Sequence, residues 1–190
     1  MFLARRPSSQ QIARFLDCCR TLPLSYQPEG LARGGADGFR VDEQVVPVGS
    51  GHAVFARAVT ALSEWRHFQL GWVELFPPGA PIVTGTVVAV AIRHLGFWSL
   101  NGCRVMHATG EPGSSTFGFA YGTLTNHAEC GEEIFEVRLD PRTEQVSYRI
   151  RAVSRPRAAL AKLGFRYTRL LQARFRRDSA LAVRRAIEER

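Results

Sequence analysis

The chain has 190 residues, 45% hydrophobic and 22% charged, a composition that excludes extended disorder and is sufficient for one domain burying roughly 70% of its unfolded surface. Its net charge of +8 is uneven: residues 151–190 carry 12 Lys or Arg against Asp178, Glu188 and Glu189, so the first 150 residues sum to −1. Apolar runs such as Thr86–Ile92 fall far short of the ~20 residues a membrane helix needs, so no transmembrane segment is expected.

Arg5 and Arg6 are followed by Pro-Ser-Ser-Gln-Gln where a signal peptide would need its apolar stretch, which predicts a cytoplasmic protein. Ile12, Phe15, Leu16 and Cys19 recur at helical spacing and predict a short helix over 9–20, capped by Ser8 or Ser9 and ended by Pro23. Residues 27–38, with Pro28, Gly30, Gly34, Gly35 and Gly38, read as a loop. A strand follows over 39–48. From Ser50, the apparent N-cap, Val54, Phe55, Ala58, Leu62 and Trp65 mark a helix that ends near Gly71.

Strands are then predicted over 72–76, 86–93, 98–108 and 117–124, with turns at Pro77-Pro78-Gly79 and Glu111–Ser115. Phe117, Phe119 and Tyr121 alternate with Gly118, Ala120 and Gly122, which gives one aromatic face and one nearly bare. Those small residues imply a close approach of the C-terminal helix. Glu133, Phe135, Val137 and Leu139 mark another strand, Asp140–Thr143 a hairpin turn, and 145–153 a strand with one buried face and one wet face. Ser154 as cap and Pro156 near the first turn predict a long helix over 154–188. Its apolar stripe is Leu160, Leu163, Tyr167, Leu170, Leu171, Phe175, Leu181 and Ile187, interrupted by Gly164.

One domain over 1–190 accommodates this order: residues 1–25 as a lead-in with a short helix, then strands, then the helix over 154–188. The economical packing is α+β of the helix-grip kind, a curved antiparallel sheet wrapped on a long C-terminal helix. Space enclosed between sheet and helix in such a fold is apolar with a few convergent polar groups.

Tyr121-Gly122-Thr123-Leu124, His127, Gly131-Glu132-Glu133 and Phe135, together with Gly49-Ser50-Gly51, Gly71–Leu75, Trp98, Asn101, Arg104-Val105 and Ser154-Arg155-Pro156, resemble a family catalogued as a domain of unknown function, DUF1990. The resemblance spans roughly residues 23–188. It implies a fold distantly similar to START and birch-pollen-allergen helix-grip proteins and a small-molecule cavity, and it supplies no catalytic residue.

The candidate ligand-binding residues are Trp98, Asn101, Arg104, Tyr121, His127, Glu133 and Tyr148. His127, Glu132 and Glu133 suit a general base with a carboxylate partner, a partial metal site, for which no HxH, HxxxH or HxxE spacing supplies the remaining ligands, or a loop bonded to backbone and arginines. Strand parity sends Glu132 and Glu133 to opposite faces, and Glu133 inward. Asn101 and Arg104 also face opposite ways unless a bulge at Gly102 intervenes. Arg104 either grips a ligand oxygen or pairs with Glu74 or Glu133. Tyr121 and Tyr148 offer phenolic hydroxyls to a pocket wall or to the core. Catalytic residues stay unassigned: no GxSxG, P-loop or GxGxxG spacing occurs. Cys18, Cys19, Cys103 and Cys130 lack CxxC spacing and read as free thiols, so neither metal nor cofactor is expected. The expected partner is a small apolar or amphipathic molecule, with no specific nucleic acid, and the oligomeric state stays open. The residues leave three functions standing: a binding module, an enzyme of the cyclase, isomerase or hydratase kind, or an interaction protein using the basic C-terminal helix.

Overall fold

The computed structural model describes residues 1–34, 37–111, 113–156 and 165–189. The elements in chain order are β1 (Phe2–Leu3), α1 (Ser9–Thr21), α2 (Leu31–Gly34), β2 (Arg40–Ser50), α3 (His52–Ser63), a 3-10 turn (Arg66–Phe68), β3 (Val73–Phe76), β4 (Val87–His94), β5 (Phe97–Thr109), β6 (Thr116–Thr123), β7 (Glu129–Leu139), β8 (Gln145–Pro156) and α4 (Phe165–Glu188). Among the described residues no helix is long and apolar enough to cross a membrane.

The strands pair antiparallel in the order β2-β8-β7-β6-β5-β4-β3, and β1 adds to β5 through Phe2↔Ser99 and Leu3↔Trp98. α3, the 3-10 turn and α4 pack on one face, and the fold is α+β of the helix-grip class. The other face is also covered. Phe15 and Cys19 of α1 lie over Ala89, Ala91, Trp98 and Leu100, while Tyr26 and Leu31 cover Cys130 and Val153.

Local chemistry explains most element ends. α1 begins in a capping box: the Ser8 hydroxyl accepts from Gln11 N–H and the Gln11 side chain accepts from Ser8 N–H, an arrangement whose cap alone contributes about 1 kcal/mol. The second helix begins one residue later than Ser50 suggests. Ser50 remains in β2 opposite Gln145, and Gly51 at φ 88° makes the corner. This helix stops at Ser63 rather than near Gly71, because Trp65 turns left-handed at φ 57° and its indole N–H donates to Ala80 O at 2.7 Å.

Ser154 and Pro156 do not start a helix. β8 continues through them, with Ser154 opposite both Gly131 and Arg40 and Pro156 opposite Glu129. Pairing with two neighbouring strands overrides a local capping signal. Gly35, Pro112, Leu160, Leu163 and Gly164 lie outside the described residues. On α4 the buried ridge advances by fours, Tyr167, Leu171, Phe175, Ser179, Val183, Ile187, each buried or half-buried. Leu170 and Leu181 fall off that ridge and are exposed.

The small residues of β6 answer to a different neighbour from the one their spacing suggests. Gly122 lies under the N-terminal segment: a Cβ there would meet Tyr26 Oη at 2.1 Å. Ala120 packs with Ala32 and Ile134. At Gly122 and Ala120 the close approach comes from residues 24–34, not from α4, while Gly118 lies against β7 at Phe135 and Glu136.

Candidate functional site

Each central strand changes character along its inner face. β8 runs Val146, Tyr148, Ile150, then Ala152 and Ser154; β7 runs Leu139, Val137, Phe135, then Glu133, Gly131 and Glu129. β6 passes from Phe119 to Tyr121 and Thr123, and β5 from Val105 and Cys103 to Asn101 and Ser99. The register aligns the changes on β6, β7 and β8, with Phe119 beside Phe135 beside Ile150, and Tyr121 beside Glu133 beside Ala152. At the large-residue end Trp65, His67, Phe68, Phe119, Phe135 and Tyr148 pack solidly with the C-terminal half of α4. At the small-residue end the N-terminal half of α4 spans a gap.

That gap is a cavity of about 630 Å³. Its apolar wall includes Phe68, Trp72, Val90, Ile92, Leu171 and Phe175, and its polar groups converge on Asn101, Tyr121, His127, Glu129 and Glu133. The exposed side chains of Phe2, Leu95 and Phe97 also line it. Leu95 and Gly96 make the β4–β5 turn at φ 49° and 78°, the positive pair a two-residue hairpin demands.

Four of the seven candidate residues meet here, and three do not. Glu133 faces inward and accepts from Tyr121 Oη at 2.8 Å. Burial pushes its carboxyl up to about 7, against the opposing pull of the Tyr121 bond and of Arg176, and pushes the Tyr121 hydroxyl up as well. Asn101 donates to Ser99 Oγ and Val90 O and accepts from Ala128 N–H. His127 Nδ1 accepts from Glu129 N–H at 2.9 Å, and burial pulls this imidazole down to about 4, so it is neutral at physiological pH.

Trp98 points to the opposite face, under α1. Arg104 does too, since β5 pairs with β4 without a break at Gly102. It donates to Leu22 O at 2.9 Å and Arg20 O at 3.2 Å, at the C-terminal end of α1, and not to Glu74, which pairs with Arg6. Tyr148 belongs to the solid core, 2.8 Å from Ser179 Oγ.

Glu129 is the functional candidate that sequence reasoning passes over. It lines the cavity, one carboxylate oxygen lies 3.4 Å from the Ser154 hydroxyl, and the other is buried with no partner among the described residues. Burial raises this carboxyl to about 7. Its signal was available: Glu129, Gly131 and Glu133 share one parity on β7.

Glu132 has a different part. It is almost fully buried on the outer face, accepting from Tyr26 Oη and Gly30 N–H at 2.7 Å and Ala32 N–H at 3.0 Å. This carboxylate fastens residues 26–32 to the sheet. Cys130 also faces outward, donating to Ser25 O, so it makes no dyad with His127, and all four thiols are free. Among the described residues no group of three His, Cys, Asp or Glu could hold a metal ion.

The family model described as "Domain of unknown function (DUF1990)" matches residues 25–182. The chain belongs to this family. A UPF0548 protein of Dictyostelium discoideum is 31% identical over 207 residues, covering 98% of this chain and 96% of that protein. Among solved structures, hypothetical protein jhp0584 from Helicobacter pylori superposes with a TM-score of 0.54 at 12% identity, covering 86% of this chain and 95% of that one. Human STARD10 is similar at a TM-score of 0.49 and 13% identity, over 94% of this chain and 80% of that one.

Proposed function

We propose that this DUF1990 member folds as one domain over 1–190 and binds a small, largely apolar molecule in the cavity between the sheet and the N-terminal half of α4. The observation that carries the reading is an apolar-walled space of about 630 Å³, the size of small-molecule sites, with Asn101, Tyr121, His127, Glu129 and Glu133 converging on it. A core packed for stability alone would fill such a space. Four free thiols suit a reducing, cytoplasmic setting.

An apolar fluorescent dye binds the folded protein under this reading, and native mass spectrometry of fresh protein finds a retained small molecule. Leu171→Trp, which places an indole in the cavity, abolishes dye binding while the melting transition stays cooperative. Dye binding equal to wild type in that variant overturns the reading.

A second reading has its own observation. The Glu133 carboxyl, pushed up to about 7 beside the Tyr121 hydroxyl, is poised to exchange a proton with a bound molecule, which is what a cyclase, isomerase or hydratase requires. Turnover of an extracted ligand, rather than its unchanged retention, selects this alternative.

A further inference from the structure

The polar wall of the cavity is unbalanced in hydrogen-bonding capacity. Several of its donors, the Arg176 guanidinium apart, are engaged within the protein: Asn101 Nδ2 on Ser99 and Val90, the Tyr121 hydroxyl on Glu133, and the Thr123 hydroxyl with Ser25 and Gly131. Its two inward carboxylates are not: among the described residues Glu133 receives the Tyr121 hydroxyl alone, and Glu129 has one oxygen buried without a partner. An ionised carboxylate accommodates about four donors, so both are far short.

Among the described residues no arginine hydrogen-bonds to either carboxylate, though Arg176 acts on Glu133 through its charge. Arg169, which faces this end from α4, is committed to Asp42 of β2 through both terminal nitrogens. Arg176 of α4 lines the cavity and is its one arginine or lysine among the described lining residues. Burial pulls the His127 imidazole down to about 4 and lowers that of His94. With both inward carboxylates ionised, Glu129 and Glu133 therefore exceed Arg176 by one negative charge. Gly131, between them on the same face of β7, leaves the floor without a side chain. The two glutamates are four residues apart, about 13 Å along the strand, so one compact group reaches one of them at a time.

Resting on the small-molecule reading above, we propose that the ligand is an amphipathic amine whose protonated nitrogen pairs with Glu133 beside Tyr121, while its apolar part lies between Val90, Ile92, Leu171 and Phe175. An ammonium supplies up to three charged donors where the wall has vacant acceptors, and such bonds are roughly twice as strong as neutral ones. Glu129 adds to the negative field from the far side of Gly131. Pairing with a cation favours the ionised carboxyl, so binding strengthens as pH rises through the range where Glu133 loses its proton, while the amine itself stays charged.

Titration calorimetry with octylamine, octanol and octanoate on the full chain tests this. At pH 8 octylamine binds roughly tenfold or more tighter than octanol, the gain expected of one charge-assisted pair, and octanoate binds more weakly than either. The octylamine advantage shrinks several-fold on going to pH 5.5. It is lost in Glu133→Gln and reduced less in Glu129→Gln. Octanoate binding tighter than octylamine would assign the polar end to Arg176 and overturn the inference, as would an octylamine advantage that survives Glu133→Gln. If octanol and octanoate bind and octylamine is no better, only the amine assignment fails. If none of the three binds, the cavity reading fails with it.

Discussion

Glu133→Gln should make the protein more stable at neutral pH while weakening its site. The Glu133 carboxyl is raised to about 7 from an ordinary 4.5, mainly by burial. Between those values the native state holds a proton that the unfolded chain has released. The associated stability is complete below pH 4.5 and is lost as pH rises through 7, a cost that reaches about 3 kcal/mol at pH 8. Glutamine keeps an oxygen for the Tyr121 hydroxyl and carries no charge, so it removes that cost.

The wild-type pH profile hides the effect. Glu129 is also raised to about 7, and it adds a second gradient of the same sign. His67, buried with both ring nitrogens unpartnered, is pulled down to about 3 from 6.5, and His127 to about 4. Over roughly pH 5 to 6.5 the unfolded chain binds those two imidazole protons and the folded chain does not, so stability rises with pH there. Two gradients oppose two. The wild type should be nearly flat over that window, tilted upward only by the smaller depressions of His94 and His107. Glu133→Gln removes one falling gradient, and its stability should climb by about 1 kcal/mol per pH unit. Urea denaturation from pH 4.5 to 8 measures this through shifts in midpoint at constant slope. A variant no more stable than wild type at pH 8, or a difference that does not vanish near pH 4.5, refutes the reasoning.

Four further outcomes can be checked. Glu132→Ala strands the Tyr26 hydroxyl and two backbone N–H groups and should cost about 3 kcal/mol or more in urea melts, whereas Glu132→Gln should alter ligand retention less than Glu133→Gln does. Gly122→Ala, whose Cβ would sit 2.1 Å from Tyr26 Oη, should cost about 1–3 kcal/mol, most of it relieved in a Tyr26→Ala background. Leu95→Asn relaxes a left-handed leucine at φ 49° and should raise stability by about 0.5–1 kcal/mol in thermal unfolding. Nucleic-acid binding by filter assay should be weak, independent of sequence and steeply lost with salt, because Arg169, Arg174, Arg177 and Arg184 of α4 already engage Asp42, Asp178 and Pro47 O.

Strand parity was the most informative sequence signal, and it carried as far as geometry alone allows. It placed Glu133 inward and Glu132 outward, and it set Asn101 and Arg104 on opposite faces. It could not say which face held the cavity, because both faces of this sheet are covered. Trp98 therefore read as a cavity aromatic, while α1 and Ala89 bury it on the far side. Tyr148 lies on the correct face, but it sits three positions from Arg151 and far along β8 from Ser154, at the filled end. Local signals failed where pairing competed with them. Ser154-Arg155-Pro156 has the composition of a helix start, yet two neighbouring strands hold it extended. Glu132 looked like a partner for His127 until the loop over 26–32 supplied three donors from the opposite side.

The cavity is a consequence of side-chain size rather than of backbone shape. α4 lies on the sheet along one ridge, Tyr167 to Ile187, and its C-terminal half packs in one cluster with Phe135, Tyr148 and Ile150, which are large. The same helix, toward its N-terminus, faces Ser99, Thr123, Gly131 and Ala152, whose side chains are short, and meets Ser154 Oγ through the Gln172 amide at 3.5 Å. Three adjacent strands, β6, β7 and β8, make this change at aligned positions, and any one of them could have closed part of the gap with a leucine. Replacing Ala152 or Ser154 by a larger apolar residue would add buried contact of the kind that stabilises cores by about 1 kcal/mol per methylene. A chain that forgoes that contact at neighbouring positions, and places two costly carboxyls in the space, departs from the packing that stability favours. Departures of that kind gather where a protein binds something.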